Sequence, residues 1–216
     1  LVTRNYLLSK GKILSNDTLY LNTTRVSAMT FNGDYKIRGK VGIQDGNRFN
    51  GIATVLDTLY NQYGYSPTPI FAGNLINNGT IASNPSGYSL SFSINGNLEN
   101  NHKISVANIY LTGTNDRTIS GRNANSTQGT FYADNAISLI GDNIFPNLSF
   151  TANPLATCTI KPNATLTLKS LPNAAKLKNY GRITVILDVD NNANNTYNFY
   201  AASVSTIAKT VVNKLT

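Results

Sequence analysis

Apolar and polar residues alternate with a period of two in short segments along most of the chain, and clusters of Gly, Asn, Asp and Pro separate these segments. The segment from Tyr88 to Ile94 alternates apolar residues with Ser and Gly, and Thr-rich segments around Cys158 and Leu166 follow the same pattern. Successive side chains of a strand point to opposite faces, so this alternation predicts strands with one buried face. About twelve such segments predict an all-β protein.

Two local signals refine this prediction. Asn95-Gly96 directly follows an alternating segment and predicts a β-hairpin. Residues 49–63 place apolar side chains at helical spacings but also alternate, so a helix and a strand both stay open there. No internal repeat of fixed period is evident. The strand number and turn spacing favour an immunoglobulin-like or pilin-like β-sandwich.

The first fourteen residues form an apolar tail. Val2, Tyr6 and Leu8 share one face if this tail is extended. Such a segment could be the first strand of its own sheet, or a donor strand that completes the sheet of a neighbouring copy. The expected organisation is therefore a candidate donor-strand tail over residues 1–14 and a sandwich head over residues 15–216, with a candidate junction near residues 146–154.

Composition favours an extracellular or cell-surface location. Charged residues make up 13% of the chain, Asn occurs 32 times, and Glu99 is the one glutamate. The surface therefore consists largely of amides and hydroxyls, although an AT-rich genome would also enrich Asn. Residue 1 is Leu, so we expect a mature protein after removal of a signal peptide, or a fragment.

Charge and hydropathy argue against two classes of partner. The net charge is +8, but the basic residues are dispersed and form no dense run, so no nucleic-acid partner is expected. No apolar run reaches the ~18 residues that a membrane-spanning helix needs, so no membrane span is expected.

The residues that carry chemistry are few. His102 is the single histidine and lies in a predicted polar turn, so no catalytic triad can be assembled and an enzyme is not expected. Cys158 is the single cysteine, which predicts a buried thiol within a strand. Asp188 and Asp190 are a calcium candidate because amide side chains follow them, and a solvated strand end is the alternative. No cofactor is expected apart from N-linked glycans.

Seven Asn-x-Ser/Thr sequons are candidate glycosylation sites. With this composition, chance alone would produce about six sequons, so their number carries little weight. Most lie in predicted turns, where a glycan could be tolerated. The candidate asparagines are Asn16, Asn22, Asn78, Asn125, Asn147, Asn163 and Asn194.

The tail from Val2 to Leu8 and the sequon-bearing, Thr- and Asn-rich strands resemble pilins of the donor-strand type. In character the chain is most similar to the glycosylated subunits of archaeal thread filaments. The resemblance implies a structural subunit of an extracellular pilus or thread, polymerised head to tail by donor-strand complementation, with copies of itself as partners and a role in adhesion or biofilms. The chain departs from chaperone–usher pilins in lacking their cysteine pair.

Two other functions stay open. A viral coat or tail protein of jelly-roll type would share the strand-rich pattern. A carbohydrate-binding adhesin domain could use the cluster of Tyr60, Tyr63 and Tyr65, since tyrosine offers both a ring and a hydroxyl. Packing within a core or sheet is the alternative role for these tyrosines.

Overall fold

The structure is a computed structural model of the 216-residue chain. It describes residues 2–3, 7–14, 18–22, 25–44, 46–62, 68–84, 86, 88–121, 126–169, 176–186 and 204–208.

Parallel pairing between successive passes of the chain defines the architecture. Every strand pairing among the described residues is parallel. Leu19 pairs with Tyr35, Tyr35 with Ala53, Ala53 with Leu75, and Leu75 with Leu98, so successive coils take 16, 18, 22 and 23 residues. The chain therefore winds as a β-solenoid of stacked coils.

One side of the solenoid, called the first face, carries one short strand from each coil. A seven-stranded sheet forms its first part, and β17 lies beside the start of a four-stranded sheet that continues it. In order, the strands are β1 (Val2–Thr3), β3 (Leu19–Asn22), β5 (Tyr35–Arg38), β8 (Ala53–Val55), β11 (Leu75–Asn77), β14 (Leu98–Asn100), β17 (Ile119–Gly121), β20 (Asp142–Ile144), β23 (Thr165–Leu168), β25 (Arg182–Ile186) and β26 (Val204–Ala208).

An eleven-stranded sheet bends around the second and third faces. Its long strands cross the bend, while other coils have a separate short strand on each face. The strands are β2 (Leu7–Leu14), β4 (Arg25–Asn32), β6 (Lys40–Ile43), β7 (Arg48–Phe49), β9 (Thr58–Asn61), β10 (Ile70–Phe71), β12 (Thr80–Ala82), β13 (Ser91–Ile94), β15 (Lys103–Leu111), β18 (Thr127–Ala133) and β21 (Leu148–Phe150).

Later coils add a short fourth side before the chain returns to the first face. Its four strands are β16 (Asp116–Arg117), β19 (Ala136–Leu139), β22 (Thr157–Ile160) and β24 (Leu177–Asn179). No helix among the described residues has the length and apolar character needed to cross a membrane.

The described chain is all-β, but the expected immunoglobulin-like or pilin-like sandwich is wrong. The error has a physical reason. A solenoid strand buries one face and exposes the other, so it shows the same period-two alternation as a sandwich strand. The difference lies in whether distant segments pair in parallel, which alternation within one segment does not report.

Two local expectations fail for the same reason, and one open alternative is decided. The described part of the N-terminal segment is not an extended donor strand, because β1 pairs with β3 and β2 pairs with β4 in the first coils. For residues 49–63 the strand alternative is correct where they are described, since they contribute β8 and β9 and form no helix there. Asn95-Gly96 makes no hairpin, because it turns the chain from β13 on the third face to β14 on the first.

Stacks of similar side chains fill the interior. Phe31, Phe49 and Phe71 are buried, and their ring centroids are 5.0 Å apart at each step with nearly parallel planes. Phe92 continues the column edge-on at 5.5 Å. Because parallel strands stack in register, one inward position repeated in each coil builds a continuous column, and each aromatic pair adds about 0.5–1.5 kcal/mol beyond area burial.

Arg117 is a fully buried cation in this interior. Its guanidinium donates hydrogen bonds to the carbonyls of Ile94 at 3.0 Å, Thr112 at 2.7 Å and Gly113 at 3.0 Å. Burial lowers the pKa of Arg117, and the carbonyl dipoles hold its charge in place of a carboxylate. Arg117 therefore stabilises the turn between β15 and β16.

Cys158 lies on β22 and is fully buried, which confirms the prediction of a buried thiol in a strand. Burial raises the pKa of this thiol to about 12, and the nearby Arg117 charge opposes the shift. The thiol is therefore protonated and unreactive at neutral pH.

Candidate functional site: an amide-lined groove

The tail residues proposed as a donor strand fall into the first coils. Val2 pairs with Tyr20, and Leu8 pairs with Val26, whereas Tyr6 lies outside the described residues. The backbones of β1 and β2 are therefore used in pairing within their own chain.

The sequons occupy different kinds of position. Asn78 and Asn163 are exposed, while Asn22 and Asn147 are half-buried. Asn163 adopts a positive φ of 64°, a conformation that asparagine tolerates in turns. Asn16, Asn125 and Asn194 lie outside the described residues. Glycan attachment at any of these sites stays a prediction.

The remaining chemical candidates do not converge. His102 lies at a corner with Nδ1 3.1 Å from the carbonyl oxygen of Gly79. The calcium candidates Asp188 and Asp190 lie outside the described residues. Of the tyrosine cluster, Tyr60 donates its hydroxyl hydrogen bond to Gln62, and Tyr63 and Tyr65 lie outside the described residues. Within the described ranges, no group of three or more His, Cys, Asp or Glu side chains is placed to hold a metal ion.

A groove opens on the first face across the coils that contain β11, β14 and β17. Outward side chains of these strands form its floor, since Ile76, Glu99 and Ser120 are in register across the coils. The corner residues just before each strand form its edge. These corner residues are Asn74, Asn97 and Thr118.

The corner asparagines are held by one repeated hydrogen bond. Asn74 Oδ1 accepts from the backbone N–H of Asn97 at 2.9 Å, and Asn97 Oδ1 accepts from the backbone N–H of Thr118 at 2.9 Å. Asp34 does the same two coils before Asn74, accepting from the N–H of Ile52 at 2.8 Å. The register places these residues in one column, called here the corner ladder: Asp34, Ile52, Asn74, Asn97 and Thr118.

The ladder bonds use the carbonyl oxygens of Asn74 and Asn97, while each Nδ2 group makes no hydrogen bond with any described residue. Two amide donors are therefore presented one coil apart, about 4.8 Å along the solenoid axis. Their orientation is fixed by backbone bonds, so a ligand would not have to order them.

The groove also offers an acceptor. Glu99 is exposed, and its Oε1 accepts from Asn101 Nδ2 at 2.6 Å, which leaves Oε2 free to accept from a ligand. Thr118 and Ser120 add hydroxyls, which both donate and accept. Half-buried Ile76 supplies the apolar part of the floor.

The same face is basic near the start of the solenoid. Lys36 Nζ lies 5.9 Å from the centroid of the Tyr20 ring, and the Arg38 guanidinium carbon lies 5.3 Å from it.

Ion pairs are rare in the part of the chain that the structure describes. The single ion pair found there joins Lys161 to Asp116 at 3.8 Å, between exposed side chains. Charge therefore contributes little to holding the coils together.

Sequence reasoning missed the groove, although a signal was present. Gly-Asn-Leu-x-Asn-Asn occurs at residues 73–78 and again at residues 96–101, one 23-residue coil later. In this hexapeptide the Gly turns the corner, the first Asn belongs to the corner ladder, and the Leu is buried. The coils before and after these two have different lengths, so the hexapeptide does not recur at a constant spacing along the chain.

No protein-family model, curated protein or solved structure matches the chain.

Proposed function

We propose that the chain is a structural protein of an extracellular surface, in which the solenoid serves as a rigid, non-catalytic rod within a pilus-like filament or adhesive layer. One observation carries this proposal: the stack of coils runs from β1 to β26 with one strand per coil on the first face. At ~4.8 Å per coil, eleven strands give a rod about 50 Å long.

The surface chemistry supports the extracellular location. Outward positions carry many hydroxyl and amide side chains, and ion pairing among the described residues is limited to one exposed pair. Such a surface does not rely on salt-dependent contacts, so the rod should keep its shape over a wide range of ionic strength.

Linear assembly of copies belongs to the proposal, in a form that needs no donated strand. On its outer side β2 pairs with no described strand, and it therefore offers backbone groups to a coil of another copy. Lys10 and Lys12 on this strand would restrict indiscriminate pairing, because edge lysines oppose aggregation.

Antibody labelling of the native source tests the location, and negative-stain microscopy of the purified protein tests the shape. We expect antibodies to label intact cells or their filaments, and rods at least 50 Å long to appear in the micrographs. Labelling that requires permeabilised cells would contradict the location. Compact particles without an elongated axis would contradict the rod.

A further inference from the structure

We propose that the groove between Asn74 and Ser120 binds a neutral saccharide chain that lies along the solenoid axis. Three observations carry the inference: the paired amide donors of the corner ladder, the acceptor at Glu99, and the apolar floor at Ile76.

The polar groups match the hydroxyls of a sugar. A sugar hydroxyl both donates and accepts, so one ligand hydroxyl can accept from an Asn Nδ2 group while another donates to Glu99 Oε2. Because the amides are already fixed by the Asn97 and Thr118 N–H groups, their hydrogen bonds form without loss of side-chain freedom.

The charge of the groove argues against both anionic ligands and metal ions. Glu99 is its one charged residue, so phosphates and uronates would meet a carboxylate without a compensating cation. A metal ion would need further acidic ligands, and the described residues form no group of three or more His, Cys, Asp or Glu side chains that includes Glu99. A neutral ligand with many hydroxyls is the class that remains.

The shape of the groove fits a chain. Its lining residues come from three neighbouring coils, so it extends about 10 Å along the axis. Ile76 stands beside Glu99 in the outward column, and an apolar surface there can pack against the C–H face of a sugar ring while the amides and the carboxylate bind its hydroxyls.

Calorimetric titration with defined oligosaccharides tests the inference. The probes are the neutral hexasaccharides of cellulose, mannan, amylose and chitin, with hexagalacturonate and inorganic phosphate as anionic probes. We expect at least one neutral hexasaccharide to bind with a Kd below about 1 mM, and the anionic probes to bind at least tenfold more weakly. A Kd above about 1 mM for all four neutral probes, or preferred binding of an anionic probe, would overturn the inference.

The decisive variant is Asn97→Asp, which keeps the oxygen that accepts from Thr118 and removes the amide donor. Asp34 already makes the same bond in the corner ladder, so the variant should fold normally. We expect at least tenfold weaker binding of the best neutral probe.

Thr184→Asp is the control, because it adds the same charge to an outward position of the first face on β25, three coils beyond the groove. We expect the control to bind within twofold of the parent. Equal binding by parent and Asn97→Asp, or equal loss in both variants, would place the site elsewhere. Neither result bears on the rod, which microscopy tests separately.

Discussion

Asn77 donates from Nδ2 to Oδ1 of Asn100 in the next coil across 2.7 Å, and both side chains are buried. Asn100 Nδ2 in turn donates a hydrogen bond to Thr127 Oγ1 at 2.9 Å. In earlier coils the same inward column holds Leu21, Ile37 and Val55. The solenoid interior thus changes from an aliphatic column to an amide column without a change of register.

Replacing one asparagine of this amide column should lower the free energy of unfolding. Asn100→Ala deletes the acceptor of Asn77 Nδ2 and the donor to Thr127 Oγ1, both away from water. We expect the free energy of unfolding to fall by about 2–3 kcal/mol, since unsatisfied buried groups cost about 1–3 kcal/mol each. Urea unfolding followed by circular dichroism measures this change.

The double variant Asn77→Ala/Asn100→Ala supplies the control for this prediction. Because the two residues share a hydrogen bond, the double loss should be smaller than the sum of the single losses by about 1 kcal/mol. Additive losses would mean that the Asn77–Asn100 bond contributes nothing of its own.

The glycines at the corner before the first face should not tolerate a side chain. A Cβ atom at Gly51 would overlap the carbonyl group of Gly33 in the preceding coil, and a Cβ at Gly73 would overlap that of Gly51. Backbone atoms cannot move aside as a flexible side chain can, so Gly51→Ala should destabilise the protein by about 3 kcal/mol or more. Thermal unfolding measures the loss.

Gly46→Ala is the matched control for the corner glycines. A Cβ there meets no atom within 4 Å, so its stability should stay within about 0.5 kcal/mol of the parent. If both alanine variants unfold at the same temperature, close contact between coils does not explain the glycine column.

Ala28 adopts a positive φ of 51° at the bend within β4, where most residues with a Cβ are strained. Left-handed backbone costs about 1–2 kcal/mol for an L-residue, whereas glycine adopts it freely. Ala28→Gly should therefore stabilise the protein by about 0.5–1 kcal/mol, measured as a higher urea midpoint. Most substitutions by glycine within a strand have the opposite effect.

Ala107 is the control for Ala28. It lies at the irregular bend of β15 between Ser105 and Asn108, and its φ is not positive. Ala107→Gly should cost about 0.5–1 kcal/mol. A stabilising effect of both glycine variants, or of neither, would show that backbone strain at residue 28 is not the cause.

Alternation predicted the strands well because it depends on residues within one segment. Tyr88 to Ile94 and the Thr-rich segments around Cys158 and Leu166 contain strands β13, β22 and β23. Architecture depends on pairs such as Leu75 and Leu98, which lie 23 residues apart, and coil length varies because each corner has its own number of residues.

The groove could not be predicted for the same reason, because it depends on pairing between segments that are distant in the sequence. Asn74 and Asn97 look like ordinary turn residues in the sequence, and they become a pair only through the register of β11 with β14. The repeated hexapeptide at residues 73–78 and 96–101 could have indicated this register. By contrast, the burial of Cys158 was predictable, because an apolar thiol within an alternating segment faces the core.

Alkaline pH should destabilise the protein through Cys158. Burial raises the native pKa of its thiol to about 12, while an unfolded cysteine titrates near 8.5. Between these values the unfolded chain releases a proton that the native chain keeps, so the contribution of Cys158 is fully present below about pH 8.5 and is lost as the pH rises. The pKa of Tyr35 is also raised, mainly by burial and further by Asp34. Tyr35 therefore also lowers the stability of the protein as the pH rises, but at a higher pH than Cys158 does.

Cys158→Ala isolates the thiol in this pH dependence. The variant should start less stable at pH 7, because it leaves a small cavity, and should then lose less stability than the parent as the pH rises. From the two pKa values, the parent should lose about 2 kcal/mol more than the variant between pH 7 and pH 10. Urea unfolding at pH 7, 8, 9 and 10 gives both curves. Parallel curves would mean that the thiol of Cys158 titrates alike in the native and unfolded chains, contrary to its burial between the coils.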